Sequence, residues 1–368
     1  MTRIAHLTSV HTRTDTRIFK KQCRSLAKLG FEVFLVVADG LGDEQASDVH
    51  ISDVGASKSR LSRILFAPLR VFMRALKLRA QVYHLHDPEL LPVGILLRLA
   101  GRKVIFDAHE NFRKQLLSKP YLGKWQSRLF SRLVAPVEFV SFKFFHHIIT
   151  ATPSIKAHIG FIKESKITVV NNFPLLEEFS FSDAEKKNNG RAIFVGAITR
   201  IRGLQQLIDA LPQRQSFHLD LIGGCSDKNF LAEMEAAQGW GNVTYHGFLS
   251  ANEAFRKVEN SLAGIVTYLP YANHIEAQPN KLFEYMAAGV PVIASHFPLW
   301  RDIVEGNGTG ICVDPESPQE IADALAFLAD NPEKAKAMGQ KGRAIVKQKF
   351  NWQAEEEALA GAYEKLLG

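Results

Sequence analysis

The chain has 368 residues, 45 Lys+Arg against 38 Asp+Glu, 46% hydrophobic and 23% charged residues. This composition excludes a disordered, collagenous or disulfide-framework chain and leaves room for two domains of ordinary size. Three distant cysteines (Cys23, Cys225, Cys312) fit neither a zinc site nor a redox pair and read as buried apolar thiols of a reducing compartment.

In chain order, Arg3–Ser9 reads as a strand that begins with no secretory pattern before it. Asp15 caps a helix with Ile18, Phe19, Cys23, Leu26 and Ala27 on one face; Gly30 ends it before the strand Phe31–Val37. Further short strands follow at Val82–His86, Lys103–Asp107, Ile148–Thr150 and Ile167–Val170. No apolar run reaches the ~18 residues of a membrane span. The stretch Pro174–Gly190 is polar, acidic and poor in anything to bury, so it reads as a linker. Strands then resume at Ala192–Gly196, His218–Ile222, Val243–Gly247, Ala263–Tyr268, Pro291–Ala294 and Gly310–Val313. Ser317-Pro318-Gln319-Glu320 has the form of a capping box with proline at the first helical position, and the tail from Pro332 is almost wholly helical. Short apolar strands separated by helices predict α/β architecture, two doubly wound domains in series with parallel sheets covered on both faces.

Charge divides with the domains. Residues 1–172 hold 27 Lys+Arg against 13 Asp+Glu, and residues 173–368 hold 18 against 25. Only the first half suits an anionic surface.

The segment most informative about chemistry is TYLPYANHIEAQPNKLFEYMAAGVPVIAS. A strand leads into a loop, and a helix starts near Pro279–Asn280. Ligands of open parallel sheets bind outside the carboxyl ends of strands, and a helix N-terminus there offers free N–H groups to a diphosphate. Glu276 and Glu284 could accept hydrogen bonds from hydroxyls at two ends of one ligand. Lys281, between them, sits in a first turn where a cation opposes the helix dipole and is better explained by an anion. Taken alone, a surface helix with solvated charges explains the same residues.

E-x7-E followed by AAGVPVIAS, in a two-domain α/β chain, resembles the retaining GT-B glycosyltransferases of family 4. HTRTDTRIFKKQCRSLAKLGFEVFLVV, FDAHEN, VVNNFP, FVGAITRIRGLQQLIDAL and VTYHGFLS fall in family order. The resemblance implies two Rossmann-like domains facing across a cleft: an acceptor domain over 1–173, a linker over 174–190, and a nucleotide-sugar domain over 191–350. A helix over 351–368 would cross back onto the first domain. It further implies that Glu284 binds the donor ribose, that Glu276 faces the donor sugar, and that Arg202 and Lys281 hold the diphosphate. Arg200, Gln278 and Asn280 join them on the donor side, with Phe248 beside the base. His109 would line the sugar cleft as the catalytic histidine, with Asp87 and Glu89 toward the acceptor. Asp87 reads equally as the cap of a helix over Pro88–Leu97. Many members have a Gly-Gly pair in the first loop; here Val10–Asp15 takes its place, and Arg13 or Arg17 stands as a substitute contact, with Arg13 otherwise on the acceptor side.

The implied reaction moves a sugar from a nucleoside diphosphate sugar, UDP by family frequency, to a saccharide acceptor with retention and without metal or other cofactor. A lipid-linked acceptor in bacterial surface polysaccharide assembly accords with the basic first half. Two further readings remain: a metal-dependent hydrolase built on His84, His86 and His109, and a non-catalytic sugar-nucleotide-binding protein.

Residues 58–80 carry seven Lys/Arg (Lys58, Arg60, Arg63, Arg70, Arg74, Lys77, Arg79) and no acid, interleaved with large apolar residues. Residues 113–143 repeat the theme around Trp125, Phe130, Phe139 and Phe142. Such segments read as binders of an anionic membrane surface, placing a cytoplasmic protein on the inner face of the cell membrane. The alternative is that their apolar face packs on the sheet. No nucleic-acid reader motif accompanies them.

Overall fold

The computed structural model of the chain describes residues 1–110, 112, 123–179, 190–213 and 217–368. The chain divides into two compact units, one formed by Met1–Asn172 with Trp352–Gly368 and the other by Phe173–Asn351. Most of the acidic stretch read as a linker, residues 180–189, lies outside the described residues, as do Arg113, Lys114 and Lys119 of the second basic segment.

The first unit contains β1 (Arg3–Leu7), β2 (Glu32–Val37), β3 (Glu44–Ala46), β4 (Val49–Asp53), β5 (Val82–Leu85), β6 (Lys103–Ala108), β7 (His147–Thr150) and β8 (Ile167–Val169). They form one sheet in the order β3-β4-β2-β1-β5-β6-β7-β8, parallel except for the β3–β4 pair. That antiparallel hairpin is absent from the sequence reading. Its turn places Ser47 and Asp48 at positive φ (48° and 60°), without the Asn-Gly or Asp-Gly pair that usually announces such a turn.

Asp15 caps as expected, its carboxylate accepting from the Arg17 and Ile18 amides at 2.9 Å. The helix it opens is wider than the sequence suggests. Thr16–Cys23 is a π-helix, with the Lys20 amide reaching the Asp15 carbonyl, and only Arg24–Lys28 is α-helical. Arg17, Lys21 and Gln22 are all buried; a regular α period would keep Arg17 and Lys21 together but turn Gln22 about 140° from Arg17. The helix Trp352–Leu367 packs with this unit. Trp352 Nε1 donates to Ser25 Oγ at 2.8 Å, and Glu355 accepts from the Asn171 amide at 2.7 Å.

The second unit contains β9 (Arg191–Val195), β10 (His218–Ile222), β11 (Val243–Gly247), β12 (Ala263–Val266), β13 (Val292–Ser295) and β14 (Gly310–Val313). Their order is β11-β10-β9-β12-β13-β14, all parallel, with one apolar core over both faces. Buried strands on both faces need near-continuous apolar runs, which is how β12 and β13 read. The helix Pro318–Asp330 starts where expected, Ser317 Oγ accepting from the Glu320 amide, but Glu320 turns to the Asp314 amide instead of closing the box. Cys23 is buried as expected; Cys225 and Cys312 are only half-buried, because each sits at a strand-end or edge position. No helix among the described residues is long and apolar enough to cross a membrane.

Candidate functional site

Each sheet reverses its strand order once, between β9 and β12 in the second unit and between β1 and β5 in the first. The crevice outside such a reversal is where open α/β sheets take ligands. The candidate residues collect at these two places.

In the second unit, the Arg202 guanidinium lies over the Tyr268 ring, 5.2 Å from its centroid, so its charge is held at the end of β12 with no acidic partner among the described residues. Gly196, just past β9, allows this. A Cβ there would come within 2.4 Å of Arg202 Nη1. Gly203, at φ +69°, lets the following helix start against the Thr267 carbonyl, which a Cβ would meet at 2.0 Å. Arg200 is committed elsewhere, bonded to Glu233 at 2.8 Å and stacked over Phe230.

The helix Asn280–Ala287 begins directly after Pro279, which supplies no side-chain cap and leaves first-turn N–H groups without one. Lys281 and Glu284, one turn apart, form an ion pair on its half-exposed face. Gln278 and Glu276 lie in the loop before the helix, both half-buried, and the Ala277 carbonyl between them is fixed by Trp300 Nε1 at 2.7 Å. Three oxygens around this crevice, Thr199 Oγ1, Thr267 Oγ1 and Gln278 Oε1, are buried with no hydrogen-bond partner among the described residues. Buried polar atoms are rarely left so, and a site shaped for a polar ligand accounts for them. Phe248 stands 87% exposed on the loop after β11 with its ring against Gly224, where a Cβ would meet it at 2.4 Å.

In the first unit, Asp87 ends β5 and does not cap the helix that follows. Its carboxylate turns back across the sheet and accepts from Thr8 Oγ1 at 2.8 Å, the Ser9 amide at 2.6 Å and the Val10 amide at 3.2 Å. It therefore fixes the first loop. Glu89 pairs with Arg63 at 3.0 Å, and burial raises its pKa despite that cation. His109, at the end of β6, meets the ring of His11 edge-on at 5.2 Å. His11 donates to Asp15 at 3.1 Å and lies 3.4 Å from Asp87. Burial opposes its protonation, but the Asp15 hydrogen bond and the surrounding carboxylates outweigh it and raise its pKa. Arg13 is spent internally on Asp39, Glu44 and the Gly42 carbonyl at 2.7–2.9 Å, which takes it out of the acceptor side. Arg17 is likewise spent, on both oxygens of Asp107 at 2.8 Å and on the Val170 carbonyl. Neither arginine stands in for a missing Gly-Gly pair.

The histidines group differently from the hydrolase reading. His84 and His86 stack with His6 of the neighbouring strand, and His109 is not part of the cluster. His6 and His86 share a hydrogen bond at 2.9 Å, His84 bonds Tyr363 at 2.8 Å, and all three rings are 0% exposed. A catalytic metal needs an open coordination position that substrate can reach, and this cluster offers none. His6, His11, Tyr268, Thr267 and the Gly196 contact are site features that sequence reasoning missed. Their one signal is position, at or just past a strand's carboxyl end.

Residues 16–173 match the model described as Glycosyltransferase Family 4, and residues 177–345 the model described as Glycosyl transferases group 1. The D-inositol 3-phosphate glycosyltransferase of Corynebacterium jeikeium is 31% identical over 183 residues, 47% of this chain and 43% of that protein. The match to the spore coat protein SA of Bacillus subtilis spans 48% of that protein, so the chain aligns with about half the length of these curated relatives. Among solved structures, sucrose-phosphate synthase from Thermosynechococcus elongatus gives a TM-score of 0.81 at 18% identity, covering 100% of this chain and 99% of that one. Anabaena HepE in complex with UDP-glucose gives 0.75 at 16% identity, covering 99% and 100%. At such identities the structural likeness speaks for the fold. The two family models take in the greater part of both units, and the chain belongs to the GT-B glycosyltransferases of family 4.

Proposed function

We propose that this protein moves a sugar from a nucleoside diphosphate sugar to a saccharide acceptor with retention at the anomeric carbon. The anomeric C–O bond to the diphosphate breaks, a C–O bond to an acceptor hydroxyl forms on the same face, and the hydroxyl proton leaves with the diphosphate. The observation that carries this reading is Arg202, held over Tyr268 at the switch point of the second unit beside the Lys281–Glu284 pair. On donor binding Lys281 exchanges Glu284 for the diphosphate, and Glu284 is freed for the ribose hydroxyls. Arg202, Lys281 and the helix N-terminus then meet the charge that grows on the departing nucleotide, which lets the step run without a metal. Asn280, Gln278 and Glu276 complete the donor side, with Glu276 on the sugar hydroxyls; Arg200, tied to Glu233, is the least engaged of the set. His109 acts at the sugar, and Asp87, through the loop it fixes, and Glu89 serve the acceptor side.

UDP is the proposed nucleotide, supported by the HepE complex with UDP-glucose. The proposed acceptor is a lipid-linked saccharide of bacterial surface polysaccharide assembly. The protein would be cytoplasmic and peripheral on the inner face of the cell membrane, reached through segments 58–80 and 113–143.

Calorimetry with UDP, GDP, ADP and their common sugars tests the donor site. Glu284→Ala should weaken nucleotide binding by about tenfold or more, the worth of a hydrogen bond to a charged group. His109→Ala should depress turnover and leave nucleotide affinity within about threefold, less than the tenfold that 1.4 kcal/mol represents. Selective binding lost in Glu284→Ala supports the reading; equal binding by both variants and the parent overturns it.

A further inference from the structure

We infer that three helices of the first unit form one lipid-docking face for an anionic bilayer. The inference rests on the membrane reading above and deepens it, since the two basic segments become parts of a surface that includes a helix lying between them in the chain and outside both. The helices are Arg60–Leu78, Leu91–Leu99 and Lys124–Phe144. The middle helix contacts both of the others, so the three are neighbours on one side of the sheet.

The first helix decides between packing and docking. At 100° per residue, Ala67, Val71 and Ala75 share one side and are buried against the unit. Leu61, Leu65, Leu69 and Met73 lie on the opposite side, at 53–68% exposure. The small side chains pack inward and the large ones face out, the reverse of what a merely structural helix requires. The middle helix continues the surface with Leu96 (48%) and Leu99 (70%). The third adds Trp125 (74%), Leu133 (58%) and Val140 (55%). Single exposed apolar residues need no explanation, but a run across three adjacent helices marks an interaction surface.

Charge selects the partner. The three helices carry ten Lys/Arg and one acid, Glu138. Arg63 and Arg74 are answered by Glu89 and Asp43. Lys77, Arg128 and Arg132 are exposed and have no acidic partner among the described residues. Apolar side chains that enter the acyl boundary, flanked by cations at the height of headgroups, are complementary to anionic phospholipid. A second copy of this chain would set cation against cation.

The full chain is sedimented with vesicles of phosphatidylcholine alone and of phosphatidylcholine mixed with phosphatidylglycerol. We expect binding to the mixed vesicles and at least about tenfold less to the neutral ones, given about 1 kcal/mol per basic residue near an anionic surface. Leu65→Ser/Leu69→Ser/Met73→Ser and Arg128→Glu/Arg132→Glu should each lower binding by about tenfold or more. Leu96→Ser/Leu99→Ser tests the middle helix and should lower it measurably. Circular dichroism and nucleotide calorimetry on the same samples should be unchanged, which separates this inference from the donor-site reading. No binding of the parent to anionic vesicles, unaltered binding by Leu96→Ser/Leu99→Ser, or self-association through these residues in place of lipid binding overturns it.

Discussion

Asp87 and Glu284 are both carboxylates placed at the switch point of a parallel sheet, yet their surroundings differ. Asp87 is 2% exposed and accepts from two backbone amides and a threonine hydroxyl, so its hydrogen-bonding capacity is met inside the first unit. Glu284 is one-third exposed and bonds Lys281. The same contrast holds for the cations. Arg17 is locked to Asp107 and a carbonyl, while Arg202 rests on an aromatic face with no carboxylate partner among the described residues. A switch point is thus a location, and what it does depends on whether its polar groups are consumed by the fold or left for a ligand. Substitutions in the first unit should move stability, and those in the second should move nucleotide binding.

The largest effect is expected from Arg17→Ala. It would strand Asp107, whose carboxyl burial pushes upward but which Arg17 and His86 together hold well below the usual range. Breaking a buried pair by removing one partner costs about 3–5 kcal/mol. Urea unfolding should report that loss, and the surviving folded fraction should keep its nucleotide affinity. Loss of nucleotide binding without loss of stability would dissolve the contrast. Next comes Arg202→Ala, which should weaken diphosphate binding by about 10- to 100-fold, the worth of a charge-assisted hydrogen bond or two. Arg200→Ala should change affinity by less than about threefold, because a screened surface pair contributes little. Equal losses in the two variants would show that Glu233 does not hold Arg200 in reserve.

The third test uses pH. Burial above all, reinforced for His6 and His84 by the other imidazoles, holds His6, His84 and His86 below the ordinary 6.5 and keeps them neutral in the fold. Unfolded, they bind protons below pH 6.5, so the stability they permit is present above that pH and falls as pH drops through it. Asp107 acts in the same direction but only below its ordinary 3.8, outside this window. Amide protection in β1 and β5, corrected for the pH dependence of intrinsic exchange, should therefore fall between pH 7.5 and 5.5 more than protection in β9 and β12. A flat profile in the first unit would mean the rings are protonated in place.

The strands of both sheets were legible because a buried parallel strand writes itself as an apolar run bounded by helix signals, and twelve of the fourteen follow that rule. The hairpin β3–β4 does not. It is short and half-polar, and Ser47-Asp48 is an inconspicuous turn. On the candidate site, the loop and helix around Glu276, Lys281 and Glu284 lie close in sequence, so their spacing carried the chemistry. His6 and His86 are neighbours only because β1 and β5 pair with three strands threaded between them in the chain. The direction of Asp87 was open for a similar reason. Its choice between the helix after it and the loop opposite depends on strand adjacency, which local pattern does not encode. The π-helix was hidden because residues 18, 19, 23, 26 and 27 also satisfy a 3.6-residue period.

The helix Trp352–Leu367 gives the molecule an order of assembly. Its Tyr363 closes over His84, its Trp352 bonds Ser25, and its Glu355 holds Asn171. All three partners leave the ribosome before any residue of the second unit, and the helix leaves after all of them. During synthesis the first unit must wait, with the sheet face around His84 and Cys23 uncovered, while the second can fold as a unit. A pause or truncation before Trp352 would therefore spoil the part of the protein made first, and a chaperone engaged in its synthesis would be expected on that face.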